Sequence, residues 1–286
     1  MDVYLAYASR GRNAWWRYLL CPVLACLLAA AMLIVIGVGL MLAHLMPQDL
    51  ADQVQHPELV TPFYLGIAAT FGFLTIGLML AMAMVHRKRP ADVIGQWRWT
   101  NFAWGFWVWL IVQTVLALID FLIAPKGFAL SAGPGTVALA VVAFIGILIQ
   151  TFAEEFIFRG YMTQGLLLLL KQPLPAAIVS GLLFGSLHIA NGIPQALNAT
   201  VFGIVCALIA IRTGGIALTF GLHLANNYFG AVAVVSGSDV FKGSPGIITQ
   251  TTPHLLWWDL FLAVLVLAAV PWLIFRRRYF SAMPAG

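Results

Sequence analysis

Eight stretches of this chain are apolar enough to read as membrane helices: 19–45, 62–85, 102–123, 136–158 with an apolar continuation to 170, 174–190, 195–211, 214–235 and 257–275. About 20 apolar residues carry a helix across the hydrocarbon core. The fifth and sixth stretches are short and interrupted by polar residues. Pro and Gly gather where stretches end, as at Gly133-Pro134-Gly135 and Gly214-Gly215, which is where helices break. The pattern predicts an all-α polytopic membrane protein of about eight transmembrane helices. The first stretch reads as a span rather than a cleaved leader, because its apolar run exceeds a signal h-region and further spans follow.

The polar breaks supply an orientation. Arg10, Arg12 and Arg17 precede the first span, and Arg87, Lys88, Arg89 and Arg98 follow the second. Lys171 follows the fourth, Arg212 the sixth, and Arg276, Arg277 and Arg278 the eighth. The alternate loops hold only Lys126 and Lys242, beside Asp49, Asp52, Glu58 and Asp239. The positive-inside rule then predicts eight crossings with both termini cytoplasmic, in what reads as a bacterial inner membrane. The longest polar loops, 46–61, 86–101 and 236–256, are too short to carry a core. Residues 1–286 therefore read as a single membrane domain.

Composition agrees. Of 286 residues, 62% are hydrophobic and 9% charged, against about 25% charged in a soluble domain. The net charge of +5 is spread over short clusters between spans, so it speaks for topology and not for nucleic acid. Membrane lipid is the expected surrounding. Cys21, Cys26 and Cys206 fit no zinc ribbon or redox pair and read as buried apolar thiols. Trp15, Trp16, Trp97, Trp99, Trp257 and Trp258 stand at span edges, as interface anchors do. His44, His56, His86 and His254 fall at span ends or in loops and read as solvated.

Three polar motifs inside apolar stretches do not fit packing alone: Glu154-Glu155-x-x-x-Arg159, Phe184-x-x-x-His188 and His223-x-x-x-Asn227. A charge at the centre of a membrane helix costs about 2.5–3.5 kcal/mol on insertion scales. Glu155 and Arg159 are four apart, on one helix face, and can neutralise each other. Glu154 is turned away by about 100°. A carboxyl without that partner in a low-dielectric site is suited to take a proton near neutral pH. His188 is one turn beyond Phe184, beside the small residues Gly181, Gly185 and Ser186 that permit close helix approach. His223 and Asn227 share a face, and two donors fixed in a dry cavity can stabilise an oxyanion. Asn226 is the neighbouring alternative. Asp120 in the third span has no partner motif and reads as a packing or supporting group.

Depth bears on whether these motifs meet. At about 1.5 Å per residue, His188 lies about 21 Å from the start of its span near 174, and His223 and Asn227 about 15 and 21 Å from theirs near 213. Glu154 is about 24 Å deep if its helix continues to 170, but about 6 Å deep if it breaks at Arg159-Gly160. The continuous helix, which brings the motifs to one level around an intramembrane catalytic cavity, is the expectation.

Glu-Glu-x-x-x-Arg-Gly, Phe-x-x-x-His and His-x-x-x-Asn, in that order on successive spans, resemble the CPBP family of CAAX proteases and bacteriocin-processing enzymes, also called the type II CAAX prenyl endopeptidase or ABI family. The resemblance covers about 136–235, which it marks as a catalytic core. It implies an intramembrane endopeptidase in which Glu154 activates water and His188 helps orient it. Glu155 and Arg159 support the site, and His223 and Asn227 hold the oxyanion. The implied substrate is a membrane-associated peptide or protein, prenylated at a CAAX end or bacteriocin-like. A metal-free glutamate mechanism is favoured, since no His-Glu-x-x-His is present. Zinc held by Glu154, His188 and His223 is the alternative. A different class also fits intramembrane Glu, Arg and His: a proton- or ion-coupled transporter. Against it, no paired internal repeat of the transporter kind is visible.

Overall fold

The computed structural model describes residues 1–252 and 255–276. Its elements are α1 (Asp2–Ala8), α2 (Arg17–Leu42), α3 (Leu50–Gln53), α4 (Val60–Val85), α5 (Pro90–Ile94), α6 (Trp99–Ile123), β1 (Phe128–Leu130), α7 (Pro134–Glu154), α8 (Thr163–Leu170), α9 (Pro173–Ser186), α10 (Ile193–Thr213), α11 (Ala217–Tyr228), β2 (Val234–Ser236), β3 (Ile248–Gln250) and α12 (Leu255–Arg276). Helices occupy all eight apolar stretches. Among the described residues, five are long and apolar enough to cross a membrane: α2, α4, α6, the continuous run Pro134–Leu170, and α10. α9 is apolar but has 14 residues, and α11 has 12. The protein is a helical, multi-pass integral membrane protein. His254, Arg277 and Arg278 lie outside the described residues.

The fourth span does not break at Gly160. α7 passes through a π-helical turn, Glu155–Met162, directly into α8, so the deep placement of Glu154 is the one realised. Isolated π turns recur at functional sites. Here the widened turn sends two carbonyls to side-chain donors. Phe158 O accepts from Thr163 Oγ1 at 2.7 Å and Ser180 Oγ at 3.3 Å, and Arg159 O accepts from the Tyr4 hydroxyl of α1.

Glycine sets the tightest packing. A Cβ on Gly105 of α6 would collide with Leu218 O of α11, and one on Gly221 would collide with Phe102 O. The two helices therefore touch backbone to backbone, as small residues allow in membranes. Trp109 stands one turn beyond Gly105, facing the segment of α11 that carries Asn226.

The two ends of the bundle differ. At one end, Arg12 N–H donates to His86 O at 2.7 Å, and Arg10 pairs with Asp92 at 2.9 Å. Gln96 N–H donates to Gly214 O at 2.9 Å, and Lys88 Nζ to Ala8 O at 2.7 Å. This end gathers the basic clusters read from the sequence. The far end carries a three-stranded sheet, ordered β1-β3-β2, with β1 antiparallel and β2 parallel to β3. Ser244 there bridges Tyr64 and Pro57 O.

Three readings are corrected. The sheet and α1 were not expected from apolar periodicity. His86 is fully buried, not solvated. The N-terminal segment folds over the end of α4, so His86 Nδ1 meets Arg12 O at 2.7 Å and Nε2 meets the Tyr161 hydroxyl at 2.9 Å. Cys21 and Cys206 are buried, but Cys26 lies on the exposed face of α2. Trp15, Trp16, Trp99, Trp257 and Trp258 are all exposed at helix ends.

The positive-inside rule places the basic end in the cytoplasm, and that expectation is testable. Reporter fusions after residues 56, 92, 128 and 242 will read out, in, out and out. A cytoplasmic signal at 242 would break the eight-crossing arrangement.

Candidate active site

The site is built where the π turn faces α11. Glu155 and Arg159 are both fully buried, and the pair expected from their spacing is present, with an Arg159 Nη1 to Glu155 Oε1 distance of 3.1 Å. The guanidinium also lies over the Phe184 ring at 4.2 Å and the Phe202 ring at 5.6 Å. Aromatic faces attract a desolvated cation, so this fully buried arginine is met by one carboxylate and two rings.

His223 stands between the two glutamates. Its Nδ1 is 2.9 Å from Glu155 Oε1, and its Nε2 is 3.3 Å from Glu154 Oε2. Phe202 and Phe184 pack edge-on to the imidazole at 5.1 and 5.9 Å, which fixes the ring. The donor inventory orders the protons. Arg159 only donates, so Glu155 is its anionic acceptor, and His223 Nδ1 must then carry the hydrogen it shares with Glu155. On the other side of the ring, Glu154 Oε2 is buried without a hydrogen bond, 3.3 Å from His223 Nε2.

Amide side chains close the other side of Glu154. Gln150, one turn earlier on α7, donates from Nε2 to Glu154 Oε1 at 2.8 Å and accepts from Asn227 Nδ2 at 3.1 Å. Asn226 donates to Asn227 Oδ1 at 3.0 Å and accepts from Trp109 Nε1 at 3.0 Å. From α11, His223 thus stands beside Glu154 directly and Asn227 reaches it through Gln150. Glu154 and His223 are 7% and 3% exposed.

His188 sits just past the end of α9, its Nδ1 2.9 Å from Phe184 O and its ring 4.7 Å from that of Phe184. It lines a cavity of about 650 Å³ together with Glu154, His223 and Asn227. Apolar side chains such as Phe63, Ile67 and Leu116 form other parts of the wall. The cavity runs from the buried cluster toward the sheet end, where Gln195, Ser236, Asp239 and Gln250 also line it. Asp120 lines the same cavity. At the far end, burial pushes the Asp239 carboxyl above its usual range, opposed by the Val240 N–H at 2.6 Å and by the positive charge of His188 when protonated.

Sequence reasoning missed Gln150, Trp109 and Asp239. Gln150 was findable as a polar residue one turn before Glu154 in an otherwise apolar span. Trp109 carried no signal, because tryptophan is ordinary in a membrane helix. Among the described residues, no three His, Cys, Asp or Glu side chains are grouped to hold a metal ion. Of the zinc set read from the sequence, Glu154 and His223 meet each other, while His188 Nδ1 bonds to Phe184 O.

Fold and site together define a polytopic helical membrane protein with a buried Glu–His–Arg cluster beside an internal cavity. Residues 136–229 match the model of a family described as type II CAAX prenyl endopeptidase Rce1-like. The chain is also similar to the uncharacterized protein YyaK of Bacillus subtilis (strain 168), at 31% identity over 198 residues. That alignment covers 65% of this chain and 66% of YyaK, so about a third of each lies outside it. No solved structure matches the chain.

Proposed function

We propose that this protein is an intramembrane endopeptidase that hydrolyses a peptide bond with a water activated by Glu154. The observation that carries the reading is His223 hydrogen-bonded to Glu155 on one side, with the unbonded Glu154 Oε2 3.3 Å from its other nitrogen. With His223 protonated on both nitrogens, Glu154 is a carboxylate free to deprotonate water, and Nε2–H is a charged donor. Water attacks the carbonyl carbon as Glu154 takes its proton, and the oxyanion is stabilised by His223 Nε2–H and Asn227 Nδ2–H. Glu154 then passes the proton to the leaving amine. His188, on the cavity wall, helps orient the water. Glu155 and Arg159 hold His223 in its tautomer. Residues 136–235 form the catalytic core, and no step is routed through a metal.

The apolar cavity suits a membrane-associated peptide, prenylated at a CAAX end or bacteriocin-like. With the basic end cytoplasmic, the cavity lining reaches the opposite end of the bundle at Ser236, Asp239 and Gln250, so the substrate segment reaches Glu154 from that side. The test is purified protein in detergent, incubated with a peptide library with and without chelator and read by mass spectrometry. Cleavage unaffected by chelator is the expected result. Cleavage lost in chelator and restored by added metal would overturn the metal-free step. Ion flux in vesicles with no peptide cut would move the chain to the transporter class.

A further inference from the structure

We infer that Trp109 is a positioning residue that sets the direction of a four-bond amide relay ending on Glu154. The relay runs Trp109, Asn226, Asn227, Gln150, Glu154, with donor–acceptor distances of 3.0, 3.0, 3.1 and 2.8 Å. Gln113 Nε2 reinforces its first acceptor, Asn226 Oδ1, at 3.3 Å.

A carboxamide can be turned over with little change in shape, so three amides in series could point either way whenever Glu154 holds a proton, as it does after taking one from water. The indole removes the choice, because its N–H donates and never accepts. Asn226 must therefore offer Oδ1 to Trp109 and Nδ2 to Asn227. Asn227 must receive on Oδ1 and offer Nδ2 to Gln150. Gln150 must receive on Oε1 and offer Nε2 to Glu154.

Two consequences follow at the reacting groups. Glu154 Oε1 is committed as an acceptor, so any proton on Glu154 sits on Oε2, the atom facing His223. The Asn227 NH₂ group, with a second hydrogen left over, is turned to the side where an oxyanion would form. A reversed relay would put the Asn227 carbonyl there instead, and the Gln150 carbonyl against the Glu154 carboxylate. Arg159 does for Glu155 and His223 what Trp109 does for Glu154 and Asn227. Each is an obligate donor at one end of a chain of groups that can otherwise reverse. Trp109 is 2% exposed and held by the close approach of α6 and α11 at Gly105 and Gly221.

The kinetic arm of the test rests on the peptidase reading; the spectroscopic arm does not. Asn226→Asp keeps size and bonding sites but cannot donate when ionised, so Asn227 must turn its Nδ2 back toward residue 226 and the relay reverses. Trp109→Phe keeps an aromatic ring and removes the obligate donor. Turnover is expected to fall about 10²-fold in Asn226→Asp, the size of a lost oxyanion donor. In Trp109→Phe it should fall roughly 5- to 10-fold, the size of one net hydrogen bond, with KM held in both. The double variant should be no slower than Asn226→Asp alone, since a reversed relay has no further direction to lose. Infrared difference spectra against Glu154→Gln identify the Glu154 carboxyl bands in purified protein without any substrate. Those bands should shift in both variants. If wild type cuts no peptide, the peptidase reading fails and the bands still decide the relay. Wild-type bands in a folded Trp109→Phe protein would overturn it, as would multiplying kinetic losses in the double variant.

Discussion

Glu154→Gln will give a folded protein whose turnover is lower by at least about 10², the low end of a general base's contribution. The amide matches the carboxylate in shape but takes no proton from water. The site adds a second loss. Gln150 donates to the position of Oε1, so the new amide keeps its oxygen there and presents its NH₂ to His223 Nε2. The imidazole must then be neutral at that nitrogen, and the charged oxyanion donor disappears with the base. Peptide turnover and a binding assay on the same detergent sample check this. Turnover falls and substrate still binds. Undiminished cleavage would sink the mechanism.

Arg159→Ala is expected to cost about 3–5 kcal/mol of stability, the range for breaking one half of a buried ion pair. Glu155 would be left fully buried with a charge, facing His223 and the Thr219 hydroxyl without its arginine. The Phe184 and Phe202 rings would lose the cation they flank. Thermal unfolding in detergent reads the loss, together with folded yield. Adding Glu155→Gln to Arg159→Ala should recover part of it, because a neutral amide is cheaper to bury than an unpaired carboxylate. A wild-type melting temperature in Arg159→Ala would rule out the pairing as a source of stability.

The helices of this fold were legible because membrane spans are written in long apolar runs. Glu155 and Arg159 were legible as a pair because four residues on a helix is a contact distance. What stayed hidden depended on contacts between distant segments. His86 looked like a solvated end of α4, and only the fold of residues 9–16 over it makes it buried. Gln150 looked like one polar residue among many until Asn227 and Glu154 closed on it from two helices. Strands of three residues, such as β1 and β3, are too short to show a period of two. The spacing of Glu154, Glu155 and Arg159 also gave no hint of the π turn, since an extra residue in one turn leaves no trace in composition.

That π turn ties the site to the order of synthesis. Arg159 O accepts from Tyr4, so the first helix of the chain completes a turn made 155 residues later. α1 leaves the ribosome before α8 and α10, against which it packs. A contact of such long range is among the last to form. α1 must therefore wait at the membrane surface until α8 and α10 have been made. The turn that begins at Glu155, next to Glu154, is braced only then, and a partly made chain is thereby kept from having a finished site.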